Sequence, residues 1–136
     1  MQESELAEMV VRVLDTFEFT VSHRQVSTNC GYKRGKGRGL YKTREMKDFQ
    51  KAIREECKLR WGERECDKKG KWFVGITFYY PSVSNDIDGA IKPTLDALEG
   101  IVFDNDKQVV MLYVQKKRDK SNPRTDIIIR RVEHYE

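Results

Sequence analysis

The sequence predicts an α+β fold in which helices pack on a mixed β-sheet. One segment has strict period-two alternation of apolar residues, two others place apolar residues at helical spacing, and two short strand-like runs close the chain. With 136 residues the chain has the length of one domain, able to bury a core without disulfide staples. It is expected to be a single unit over 1–136, with residues 1–16 as an N-terminal helical extension.

The elements follow in order. Leu6, Met9, Val10, Val13 and Leu14 recur at helical spacing and predict an amphipathic helix over 4–15. Phe17 to Val21 reads as a short strand. Residues 22–39 are polar, basic and glycine-rich, and predict a mobile positive arm. The run from Gly35 to Gly39 is not a dinucleotide fingerprint, because no strand–turn–helix context surrounds it. Thr43 is a plausible N-cap for a helix over 44–61, which Gly62 ends. Trp72, Val74, Ile76, Phe78 and Tyr80 alternate onto one apolar face, the clearest strand of the chain. A further helix runs to about Leu98, stopped by Gly100. It begins either close to Pro93, with 86–90 as turn, or earlier with a kink at the proline. Val109 to Lys117 and Thr125 to Val132 complete the sheet.

Charged residues make up 35% of the chain, and no apolar run approaches the length of a bilayer span. The first residues are acidic, unlike a signal peptide. Three cysteines, Cys30, Cys57 and Cys66, form no Cys-x-x-Cys pair, and the two histidines are isolated. This argues against zinc and for free thiols in a reducing compartment. The expected location is intracellular. The net charge of +4 divides unevenly, since residues 1–18 hold five acids against Arg12. Lys33, Arg34, Lys36, Arg38, Lys42 and Arg44 occur with no acid among them. Lys116, Lys117, Arg118, Lys120 and Arg124 are interrupted only by Asp119. Such patches attract a polyanion, and nucleic-acid backbone phosphates are one reading, with solvated loop charge the other.

The chemistry concentrates in Asn85-Asp-Ile-Asp-Gly-Ala-Ile-Lys-Pro, with Asp106 following beyond a helix. In extended chain, the spacing of Asp86 and Asp88 turns both carboxylates to one side. Three gathered carboxylates repel one another, and a hard divalent cation removes the conflict. Such a cation lowers the pKa of a bound water and polarises a phosphate oxygen, as phosphodiester hydrolysis requires. Lys92 is placed to hold the phosphate or the charge that develops on it. The structural alternative is that Asp86 and Asp88 only cap the helix, with Lys92 paired to Asp88. An EF-hand fails, because setting Gly89 at the invariant glycine puts Leu95 where a bidentate Glu is needed. Haloacid dehalogenase phosphatases also carry Asp-x-Asp-Gly, but theirs directly ends a strand, whereas Pro81 to Asn85 intervene here. A non-catalytic DNA-binding protein with a structural acidic cap is the main alternative, with a small-molecule phosphatase behind it.

Asp86-Ile-Asp88, Lys92-Pro93, Leu95-Asp96-Ala97-Leu98, Gly100 and Asp106-Lys-Gln108-Val109 together resemble the signature of RusA-type Holliday junction resolvases. The match is clear over 85–110. The resemblance implies that Asp86, Asp88 and Asp106 bind Mg²⁺ or Mn²⁺, that Lys92 is required for cleavage, and that no small-molecule cofactor takes part. It also implies a homodimer that binds four-way junction DNA and nicks two opposing strands; no membrane partner is expected. Two departures stand out: Gly89 replaces the usual Asn, and the acidic helix at 4–15 precedes the strand that normally opens these proteins.

Overall fold

A computed structural model describes residues 16–35, 37 and 39–133. The helix expected over 4–15, and the side chains of Lys36 and Arg38, lie outside the described residues. The expected α+β class is observed. Strand β1 (Thr16–Val21) is followed by a four-residue helix α1 (Thr28–Gly31) and a ribbon of β2 (Tyr32–Arg34) and β3 (Leu40–Lys42). Then come helix α2 (Arg44–Trp61), strand β4 (Lys71–Tyr80), helix α3 (Ile91–Leu98), and strands β5 (Val109–Arg118) and β6 (Arg124–Val132).

The main sheet has the order β1-β6-β4-β5. β6 runs antiparallel to both β1 and β4, while β5 runs parallel to β4, so the sheet is mixed. Parallel neighbours need a crossover, and α3 with its flanking loops provides it. This single connection carries every acidic residue of the predicted site.

The core follows from two periodicities. On β4, Trp72, Val74, Ile76, Phe78 and Tyr80 are buried, as their alternation requires. Ile127 and Ile129 of β6 and Phe19 and Val21 of β1 join them. α2 contributes Met46, Phe49, Ile53, Cys57 and Trp61, one stripe at three- and four-residue spacing. Thr43 caps α2 by accepting from Met46 N–H, and Gly62 ends it with a positive φ of 71°. α2 packs against α3 and along β1.

Two segments differ from expectation. The polar stretch 22–39 was expected as a mobile arm, and instead contains α1 and one strand of the β2–β3 ribbon. Thr43 N–H donates to Gly31 O at 2.8 Å, and Lys42 Nζ to Gln50 Oε1 at 2.8 Å, so long-range contacts fix what local sequence leaves open. The start of α3 is also settled: Pro93 is its third residue, and the chain bends and turns over 87–90 just before it. A first-turn residue has no intrahelical partner for its N–H, so proline fits there without a kink.

Burial separates the thiols. Cys30 is exposed and Cys57 is buried, with burial pushing the Cys57 pKa up to about 12 against the opposing charge of Arg54. At pH 8 only roughly one Cys57 in ten thousand is then a thiolate. Ellman's reagent should label Cys30 at once in the native protein and Cys57 only on unfolding. Equal labelling rates for the two would contradict the packing of α2.

Candidate active site

Two halves make up the site, joined by the first turn of α3. The first half is the loop between β4 and α3, which carries Asp86 and Asp88, both exposed. A loop this polar holds its shape only if its backbone groups find partners. Tyr80 Oη donates to Asp86 O at 3.4 Å, while Lys116 Nζ, from the edge strand β5, donates to Val83 O at 3.2 Å and Asn85 O at 2.8 Å. From the α1 side, Thr28 N–H donates to Gly89 O at 2.8 Å. Burial, and then the charges of Asp88 and Asp86, push the Tyr80 pKa up to about 12, so the hydroxyl stays a donor throughout the neutral range.

Thr28, Tyr80, Asn85, Asp86 and Gly89 border a cavity of about 970 Å³. Arg24, Lys33, Tyr80, Asp86, Asp88 and Gly89 are among its lining, so one basic residue of the β2–β3 ribbon and both aspartates share one hollow. The second basic stretch reaches the same loop from β5. Lys116, Lys117 and Arg118 lie in register with Phe78, Tyr79 and Tyr80 at the end of β4 where the loop begins. Lys116, Lys117, Arg118 and Lys120 are all exposed, as are Lys33 and Arg34. Lys117 Nζ lies 5.8 Å from the centre of the Tyr79 ring. Lys116 has a task the sequence did not indicate, since its ammonium fastens the aspartate loop.

The second half surrounds Asp106. Lys92 Nζ donates to Asp106 Oδ2 and, at 2.9 Å, pairs with Asp96 Oδ1 one helical turn on. These bonds, Asp106 first, raise the Lys92 pKa above its ordinary value, so Lys92 is a cation at any physiological pH. The pairing with Asp88 considered from sequence is thus replaced by Asp96 and Asp106. Glu99 Oε1 accepts from Asp106 N–H at 3.2 Å, and oxygens of Asp96, Glu99 and Asp106 lie within 4.8 Å of one another. Among the described residues this is the group of three acids close enough to share a metal ion. Asp86 and Asp88 are outside it, on the cavity side. Ile91 N–H donates to Asp88 O at 3.2 Å, and the next residue, Lys92, reaches Asp106, so the two halves meet across a single turn.

Sequence reasoning missed the roles of Asp96, Glu99 and Gln108. The i,i+4 spacing from Lys92 to Asp96 was a usable signal. The others depend on chain reversal. Gln108 is buried, and its side chain is fully bonded: Oε1 accepts from Asp104 and Asn105 N–H at 2.9 and 3.2 Å. Its Nε2 donates to Asp67 O at 2.9 Å and Gly70 O at 3.0 Å. This clamp sets the turn that presents Asp106. Arg54 of α2 does the same for Glu99, donating to Ala97 O at 3.0 Å and Glu99 O at 2.8 Å.

Gly89 has a steric reason. A Cβ there would lie 2.9 Å from Ser27 Cβ, closer than real contacts allow. Gly89→Asn should therefore destabilise the protein by about 1–3 kcal/mol through overpacking. Ser27→Gly in the same chain should restore part of that, as urea unfolding would measure. Full stability of Gly89→Asn alone would refute the close approach of α1.

No curated protein matches the chain in comparisons with known sequences. The family model described as endodeoxyribonuclease RusA matches residues 22–130. That span contains all the described acids and cations above, together with the loop, helix and turn that hold them. The chain belongs to the RusA endodeoxyribonuclease family.

Proposed function

We propose that the protein resolves four-way DNA junctions as a homodimer, making paired symmetric nicks with a Mg²⁺ ion, or Mn²⁺ in its place, held by Asp86, Asp88 and Asp106. Its proposed location is the cytoplasm of a bacterial or phage-infected cell. Among the described residues no helix is long and apolar enough to cross a membrane. Family membership supports DNA hydrolysis. The observation that carries the assignment of residues is the turn at 88–92, which links the Asp88 backbone to the lysine that pairs with Asp106.

The donor set fits a hard cation. Carboxylate oxygens are the ligands Mg²⁺ prefers, and Lys92 already sets a positive charge against Asp96 and Asp106. When bound, such a metal supplies Lewis acidity to the scissile phosphate and to an attacking water. The remaining work falls to the chain itself. Lys33 at the cavity wall holds a backbone phosphate beside Asp86 and Asp88. Lys92 stays protonated and offsets negative charge gathering on the phosphate. Asp96 and Glu99 keep Lys92 and Asp106 in place. One acidic site makes one incision, so two copies related by a two-fold axis give the two cuts that resolution needs.

Asp88→Asn should abolish cleavage of a labelled four-way junction and leave binding equal or tighter, because a negative charge near phosphate is removed. Retained cleavage would remove Asp88 from the mechanism. Running the wild type on a junction, a duplex and a chromogenic phosphate ester, with and without Mg²⁺, separates the competing functions. Nicking, binding without nicking, and ester hydrolysis are different readouts.

Lys116 and Lys117 divide two roles on adjacent positions. Lys116→Met loosens the aspartate loop, and should raise the Mg²⁺ concentration for half-maximal cleavage on the order of tenfold. Lys117→Met should leave that requirement alone and lower the salt dependence of binding by about one phosphate contact. Identical behaviour of the two variants would deny Lys116 its loop-fastening role.

A further inference from the structure

The β2–β3 ribbon exposes two large apolar side chains, Leu40 at 69% and Tyr41 at 51%. A single exposed leucine is ordinary. Here two neighbours stand on one exposed ribbon, and each pairs with a cation across the strands: Tyr41 with Lys33, and Leu40 with Arg34. Residues 32–42 contain no acid. Cross-strand partners share a face, so Tyr41 stands on the same side as Lys33, which lines the hollow containing Asp86 and Asp88.

The ribbon is also firmly rooted. Gly31 at its base is buried, with no room for a Cβ beside Met46. Thr43 N–H bonds Gly31 O, and Lys42 bonds Gln50, whose Nε2 donates to Pro93 O at 3.0 Å in the first turn of α3. The base of the ribbon is therefore tied to the turn that carries Lys92. Two exposed apolar side chains, one on each face of the ribbon and each beside a cation, next to the hollow that holds Asp86 and Asp88, match the chemistry of a nucleic-acid stacking platform or wedge.

We propose that Tyr41 and Leu40 read the branch point of DNA, inserting against bases unstacked at the crossover while Lys33 and Arg34 grip the flanking phosphates. This rests on the junction-resolving function proposed above and adds the residues that recognise the branch. A duplex offers no open base face, so the contact is selective for branched DNA.

The test uses the full chain carrying Asp88→Asn, to prevent cutting, and a four-way junction with 2-aminopurine at the crossover. Binding should raise the fluorescence as the base unstacks. Adding Leu40→Ala and Tyr41→Ala should remove most of that rise and weaken junction binding about tenfold or more, with duplex binding unchanged within about twofold. Tyr41→Phe, which keeps the ring, should behave as the parent does. The proposal is overturned if the double alanine variant keeps the fluorescence rise, or loses junction and duplex affinity by the same factor. If the parent itself does not prefer the junction to duplex, the junction-resolving function fails first and this role falls with it. Thermal unfolding of each variant establishes that the surface changes leave the fold intact.

Discussion

Crowded negative charge is the constraint on which the rest of the structure depends. Asp96, Glu99 and Asp106 bring oxygens within 4.8 Å of one another, and the backbone of Asp88 is bonded to Ile91, the residue before Lys92. Like charges so close oppose their own assembly unless something holds them. Lys92 supplies one countercharge. Backbone fastening supplies the rest: Gln108 fixes the Asp106 turn, Arg54 fixes Glu99, and Lys116 with Tyr80 fixes the Asp86 loop. The rigidity of the sheet and of α2 thus becomes a means of keeping acids together.

The parallel pairing of β4 and β5 is what makes this possible. An antiparallel hairpin would join these strands by a short turn, whereas a parallel pair requires a crossover, and the crossover has room for the whole constellation. Its beginning is held by the edge strand β5 through Lys116, and its end by the 67–70 turn through Gln108. α2 reaches its middle through Gln50 and Arg54. Each fastening comes from an element formed for another reason, so the site and the core stabilise each other.

Legibility in the sequence followed the range of the interaction. β4 was readable because its alternation is local, and α2 because its stripe and its Thr43 cap are local. The ribbon is not legible locally because its glycines give no periodicity, and what orders it lies elsewhere in the chain: Gln50 and the packing of Gly31 on Met46. Pro93 left two helix starts open, and only the turn at 87–90 chose between them. The residues of the candidate site were readable as a motif, while the partner of Lys92 was not. Asp96 follows it at i+4, but Asp106 arrives through a chain reversal that spacing does not encode. The need for glycine at position 89 was hidden for the same reason, because Ser27 is distant in sequence.

The account turns on whether Asp86, Asp88 and Asp106 serve a single ion. Crystals of the protein grown with Mn²⁺ and measured at the manganese absorption edge locate the metal directly. The account predicts an anomalous peak coordinated by carboxylates of Asp86, Asp88 and Asp106, with Lys92 turned toward the adjoining phosphate site. A peak held by Asp96 and Glu99 without Asp86 and Asp88, or no peak at saturating Mn²⁺, would contradict it.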